Sequence, residues 1–199
     1  EMAKRIITIS REFGSGGRFI GKEVAKQLGI AYYDKNMINE IAEKSGLSPE
    51  YIQENAELSP RKGLFAYAFA GRDITGKSVE DMLYEAQRKV ILDLAKNEPC
   101  VIVGRNADYI LKEFDHCLNV FIHAGFDWRV KRMTAMMDKV PAEQVANDVR
   151  AVDKARRKYC EYYTHCTYGD ARNFDLTLNT EKLGIDKAVS LILEAAENL

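Results

Sequence analysis

A run of β-branched residues that passes straight into a glycine cluster and then into an amphipathic helix leaves this chain few folds to choose from. Arg5-Ile6-Ile7-Thr8-Ile9-Ser10 reads as a strand, Gly14-Ser15-Gly16-Gly17 as a tight loop, and Ile20, Val24 and Leu28 recur at helical spacing until Gly29 ends the pattern. A second strand, Ile30 to Tyr33, follows at once. Two strands joined by one helix need a crossover, and a crossover makes them parallel.

The remaining pattern extends that start. Asp34 to Ser45 reads as a helix, and Ser48-Pro49-Glu50 as the start of a further short one. Between Leu58 and Ser78 the chain carries Pro60, Gly63, Gly71 and Gly76, which predicts a mobile inserted region over the sheet, suited to a substrate-side flap. Helical periodicity returns over 79–96, with Val79, Met82, Leu83, Val90, Ile91 and Leu94 on the apolar face. The continuous apolar runs Cys100 to Gly104 and Leu118 to Ile122 predict strands buried on both faces. Helices are expected over 126–137, 142–163 and 186–196, with a fifth strand at Asp175 to Asn179. The sum is a single α/β domain over 2–199, a five-stranded parallel sheet between layers of helices.

Composition removes other classes. At 199 residues, 46% hydrophobic and 30% charged, the chain suits one folded core and not disorder. Net charge is −1, so no global field attracts nucleic acid, and an anion site has to come from a local arrangement of amides and arginines. No apolar stretch has the length of a membrane span or the form of a signal peptide, and Cys100, Cys117, Cys160 and Cys166 lack close pair spacing. A cytoplasmic protein with reduced thiols and no membrane association is the expectation. Glu1, ahead of Met2, is left out of the fold reasoning.

The glycine cluster carries the chemistry. At the first strand-to-helix turn, exposed amides and the positive end of the next helix form a phosphate cradle, and small residues let the backbone approach phosphate oxygens. Gly14, Ser15, Gly16 and Gly17 suit that role, Ser15 with a hydroxyl donor to add; a plain tight turn is the alternative. The pattern G-x-x-x-x-G-K-[ST] would put glycine at Arg11 and lysine at Gly17, so the positive charge has to come from Arg18 or Arg11. A register that uses Gly21-Lys22-Glu23 puts Lys22 more than a turn into the helix and is rejected.

Ile6-Ile-Thr-Ile-Ser-Arg-Glu-Phe-Gly-Ser-Gly-Gly-Arg18, then Tyr33-Asp34, then Gly104-Arg105-Asn106-Ala107-Asp108-Tyr109 resembles the cytidylate kinase-like family, over nearly the whole chain. The resemblance implies a P-loop NTPase-like three-layer α/β/α fold, with a helical acceptor-side insertion within 35–98 and a helical lid within 143–172. It implies ATP with Mg2+ as the donor and a small-molecule nucleotide as the acceptor, CMP or dCMP first. Asp34 would then face the monophosphate and Arg105 hold the acceptor phosphate or base. Asn106 stands where cytidylate kinases carry aspartate, a change that removes a charge and adds donors. Arg150, Arg156 and Arg157 would close over the transfer site, with Asp153 fixing ribose or arginine geometry. From position alone, Asp34 suits a helix N-cap equally well.

Other features are assigned to the domain itself. Arg129, Lys131 and Arg132 are expected in surface or packing roles, and Tyr159, Tyr162, Tyr163 and Tyr168 in packing. Cys160, His165 and Cys166 do not match a structural zinc site, and His116 and His123 have no identifiable acid or nucleophile beside them. Three functions remain open: an ATP-dependent phosphotransferase, a phosphate-binding sensor that transfers nothing, and an RNA-binding protein, the last disfavoured by net charge.

Overall fold

Strand β1 (Ile6–Arg11) is buried along nearly its whole length, as a β-branched run must be, and it takes the middle of the sheet. On one side lies β3 (Cys100–Val103), paired from Ile6 with Cys100 to Ile9 with Val103. On the other lies β4 (Cys117–His123), paired from Ile6 with Cys117 to Arg11 with Ile122. With β2 (Ala31–Tyr33) outside β3 and β5 (Leu176–Asn179) outside β4, the order is β2-β3-β1-β4-β5, and every pairing is parallel. The strands of the first crossover are thus near neighbours, one strand apart. The fully buried β3 takes the interior place between them, and half-buried β2 takes the edge.

The computed structural model of the protein describes residues 5–44, 79–137, 139–197 and 199. The short helix expected near Ser48 and the inserted region over 58–78 lie outside them. The helices are α1 (Gly17–Leu28), α2 (Lys35–Lys44), α3 (Val79–Asn97), α4 (Ala107–Ile110), α5 (Phe126–Met136), α6 (Ala142–Thr164), α7 (Thr180–Leu183) and α8 (Ile185–Ala196), with a 3-10 turn at Ala171–Asn173. The two four-residue helices and the 3-10 turn escape sequence reading because they are shorter than a period count can resolve. Among the described residues, no helix is long and apolar enough to cross a membrane.

Alternation along the strands separates two cores. Ile7, Ile9, Val101, Val103, Val120 and Ile122 face α1 and α8, where Ile20, Val24, Val189 and Ile192 meet them. Ile6, Cys100 and Ile102 face the other way, onto Ile38, Val90, Ile91 and Leu111 of the α2, α3 and α4 side. Burying each such side chain contributes about 1.5–3 kcal/mol. Because β1 has later strands on both flanks, strand order reverses at its carboxyl end, where open α/β sheets form a ligand crevice.

Candidate functional site

The glycine loop lies in that crevice and borders a cleft of about 570 Å³. Gly14 and Gly16 have φ of 80° and 95°, a left-handed backbone that glycine adopts without a Cβ clash. Gly16 caps α1, and the first amides of that helix, at Gly17, Arg18 and Phe19, have no intrahelical acceptor and border the cleft. The Ser15 hydroxyl, expected as an added donor to phosphate, is turned inward instead. It donates to the Glu12 and Ile122 carbonyls at 2.8 and 3.2 Å, and Ser15 is fully buried. The reason is local: Thr180, at the start of α7, donates to the Ser15 carbonyl at 2.7 Å and holds that residue against β4.

Arg11 crosses behind the loop. A Cβ on Gly17 would come within 2.6 Å of the Arg11 Cβ, and one on Gly104 within 2.5 Å of its Nη1, so both glycines are needed for the side chain to reach the cleft. The sequence position that a phosphate-loop lysine would occupy is thus kept empty, and the Arg11 stem runs beside it. Burial first, and the neighbouring Arg156 charge second, bring the Arg11 guanidinium down to about 10, which leaves it charged at neutral pH. Among the described residues no carboxylate lies within ion-pair distance of it. Its carbonyl accepts from Arg156 Nη1 at 2.8 Å and from the Tyr168 hydroxyl at 2.5 Å, which ties the strand end to α6 and the segment after it.

Arg18 reaches across the cleft to Asp34, Nη2 to Oδ2 at 2.6 Å and Nε at 3.1 Å. The other oxygen of Asp34 accepts from the Asn36 and Met37 amides at 3.0 and 3.3 Å, which is an N-cap of α2. Burial works to raise this carboxyl, but the Arg18 hydrogen bond, the two amides and the Arg18 charge together hold it below the usual range. Asp34 thus caps a helix, as its position allowed, and also borders the cleft.

Three further cations border the cleft: Lys35, Lys22, which was set aside with the rejected loop register, and Arg132, which was expected in a surface or packing role. Lys35 is lowered first by the charge of Arg105, then by burial, then by Arg11 and Arg156, so these four cations crowd one another. Arg132 donates to the Gly14 carbonyl at 3.3 Å, and burial lowers it too. Their signal was positional: Lys35 lies two residues past β2, at the start of α2, and Arg132 lies one turn beyond Arg129 on the helix after β4.

Gly104, Arg105 and Asn106 all have positive φ, 82°, 57° and 54°, a strained stretch for two non-glycine residues. It sets the Arg105 guanidinium 4.4 Å over the ring of Tyr159, whose hydroxyl donates to Gln87 on α3 at 3.1 Å. Asn106 faces a second cavity of about 380 Å³, with Ser10, Asp108 and Tyr168 in its walls. Its Nδ2 is buried without a partner among the described residues. Burial pushes the Asp108 carboxyl up, tempered by the Ser10 hydroxyl, which donates to it at 2.9 Å.

The candidates on α6 divide. Arg156 borders the cleft. Arg150 lies 4.5 Å over the Phe126 ring, beside a shallow groove between α5 and α6, and Arg157 is exposed; neither borders the cleft. Asp153 pairs with Arg129, Nη1 to Oδ2 at 2.5 Å, and accepts from the Phe13 amide at 2.7 Å. Arg129 has the packing role expected of it, with a side chain only 7% exposed. Tyr159, Tyr163 and Tyr168 pack as expected, Tyr163 stacked on Tyr84 at 3.9 Å, whereas Tyr162 is exposed.

The model of the cytidylate kinase-like family matches residues 6–182. Among curated proteins, a cytidylate kinase of Pyrobaculum islandicum is 28% identical over 192 residues, covering 95% of this chain and 91% of its own. One from Pyrococcus horikoshii is 25% identical over 198 residues, covering 98% and 90%. Among solved structures, an uncharacterised protein of Eubacterium ventriosum superposes with a TM-score of 0.76 at 25% identity, covering 98% of this chain and 100% of its own. A gluconokinase of Sinorhizobium meliloti shares the fold at a TM-score of 0.55 and 15% identity, covering 100% and 97%.

Proposed function

The chain belongs to the cytidylate kinase-like family, and on that premise we propose that it transfers the γ-phosphoryl group of ATP to a nucleoside monophosphate or a similarly small phosphorylated acceptor, CMP and dCMP being the first to test. The observation that carries this reading is the convergence of Arg11, Lys35 and Arg156, crowded by Arg105, on one cleft that also receives the start of α1. Cations crowded together and partly shielded from water are costly unless an anion arrives. Polyphosphate is the anion that such a spread of guanidinium groups and amides suits.

In this reading the amides of Gly14, Gly16, Gly17 and Arg18, with Arg11 and Arg132, receive the donor phosphates, while the buried Ser15, whose amide donates to the Glu12 carbonyl, shapes the loop from behind. The exposed apolar pair Phe19 and Met136 gives adenine a surface to stack on. Lys35 and Arg105 orient the acceptor from the other side, Asn106 faces the second cavity and is given no part in the cleft, and Asp34 sets Arg18. An acceptor phosphate oxygen attacks the γ-phosphorus in line as the bond to the β–γ bridging oxygen breaks, giving ADP and the acceptor diphosphate. Arg156 and Arg11 stabilise the charge on the transferring group, which is most of what catalysis asks for here. Mg2+ on the triphosphate would neutralise part of the phosphate charge; the carboxylates that border the cleft, Glu12 and Asp34, are already engaged by Arg129 and Arg18. No protein ligand to it is assigned.

A sensor that binds nucleotide without transfer is the second reading, favoured by the missing side chain at Gly17. An ADP-release assay across CMP, dCMP, UMP, AMP and an unphosphorylated nucleoside separates the two. ADP that appears only with a monophosphate supports transfer; binding of ATP with no ADP from any acceptor contradicts it.

A further inference from the structure

The inference concerns Asp153 and rests on the reading of the cleft as a donor-phosphate site. We infer that Asp153 is a positioning residue of the donor side, which sets the shape of the phosphate loop from helix α6, and that it is not a ligand of the acceptor.

Both of its oxygens are engaged within the protein. Oδ1 accepts from the Phe13 amide at 2.7 Å and Oδ2 from Arg129 Nη1 at 2.5 Å, and the same Arg129 nitrogen donates to the Phe13 carbonyl at 2.9 Å. The two main-chain groups of Phe13 are therefore held by one ion pair. Arg129 continues inward, its Nε 3.0 Å from the Ala124 carbonyl and 3.4 Å from Glu12 Oε2, and Glu12 in turn accepts from the Ala124 amide at 3.2 Å. Residues 12 and 13, which lead into Gly14 and the amides beyond it, are thus fixed from outside the loop.

Two further facts separate Asp153 from the ligand. Its side chain is 14% exposed and does not border the cleft, which Phe13, Gly14 and Arg156 do. A free carboxylate there would repel phosphate, and the Arg129 pair neutralises it. Asp153 and Arg156 are also three residues apart on α6, and Arg156 holds the Arg11 carbonyl while Asp153 holds Phe13. Helix α6 therefore grips the loop at two points, and a displacement of the helix moves the donor amides with it.

The test separates donor from acceptor. ATP with Mg2+ and CMP are titrated by calorimetry into the wild type, Asp153→Asn and Arg129→Lys, with melting temperatures recorded and KM measured for both substrates. A charge-assisted hydrogen bond of this kind corresponds to about ten-fold or more in affinity. The expected result is weaker ATP binding by that factor and a raised KM for ATP in both variants, with CMP affinity and KM unchanged. Weakened CMP binding with ATP intact overturns the inference and leaves the kinase reading standing, and equal loss of both ligands also overturns it. Amide exchange, read without nucleotide, supplies the arm that does not depend on function. Phe13 should be protected in the wild type and lose protection in Asp153→Ala, and an unchanged Phe13 rate overturns the inference. A wild type that binds no ATP overturns the functional reading and this inference together.

Discussion

Arg129 and Arg11 are both buried against the same glycine loop, yet they meet opposite surroundings. At the root of α5, Arg129 has two carboxylates and two carbonyls around one guanidinium, so its charge is neutralised within the protein. At the back of the cleft, Arg11 has cations for neighbours and no carboxylate among the described residues. The first arrangement holds a fold together. The second lowers stability until an anion arrives, and that difference, more than the number of arginines, marks the site.

The contrast can be broken from the Arg129 side first. Arg129→Met leaves Glu12, Asp153 and the Phe13 carbonyl facing an apolar stem, and removal of one partner of a buried pair costs about 3–5 kcal/mol. Denaturant unfolding should show that loss; a loss below about 1 kcal/mol would place Arg129 with ordinary surface arginines. On α6, Arg156→Ala should weaken ATP binding about ten-fold more than Arg157→Ala, because only the first borders the cleft and holds the Arg11 carbonyl. Equal effects in calorimetry would restore both to one functional face.

The smallest effect concerns Asp34. Its folded pKa is lowered, so the stability it adds is present above its unfolded value of about 3.9 and disappears as pH falls through the folded one. Asparagine keeps the N-cap, so Asp34→Asn isolates the charge. With Arg18 61% exposed, the difference should stay below about 1 kcal/mol at pH 6 and shrink towards pH 3 in urea melts; a difference that grows on acidification would reverse the sign.

Much of the scaffold was legible in the sequence because apolar runs and helical periods are local. All five strands and the long helices over the described residues follow from them, as does the glycine loop at the carboxyl end of β1. The pairing of charges was not legible, since it joins residues far apart in the chain: Phe13 with Asp153, Arg156 with Arg11, Arg129 with Glu12. The resemblance assigned Arg150, Asp153, Arg156 and Arg157 together to the transfer site. The fold gives each a different environment, because α6 lies against the loop at Asp153 and Arg156, against Phe126 at Arg150, and exposes Arg157 to solvent. Lys35 was missed and Arg132 was assigned to surface or packing for the same reason, as their significance lies in what they face across the cleft.

The most direct test is Arg11→Met, titrated with ATP and Mg2+ and melted without ligand, beside the wild type. The account predicts at least about ten-fold weaker ATP binding together with an unchanged or raised melting temperature, because the variant removes an uncompensated buried charge. ATP affinity equal to wild type, or a marked fall in melting temperature with affinity intact, would make Arg11 a structural residue like Arg129 and contradict the account.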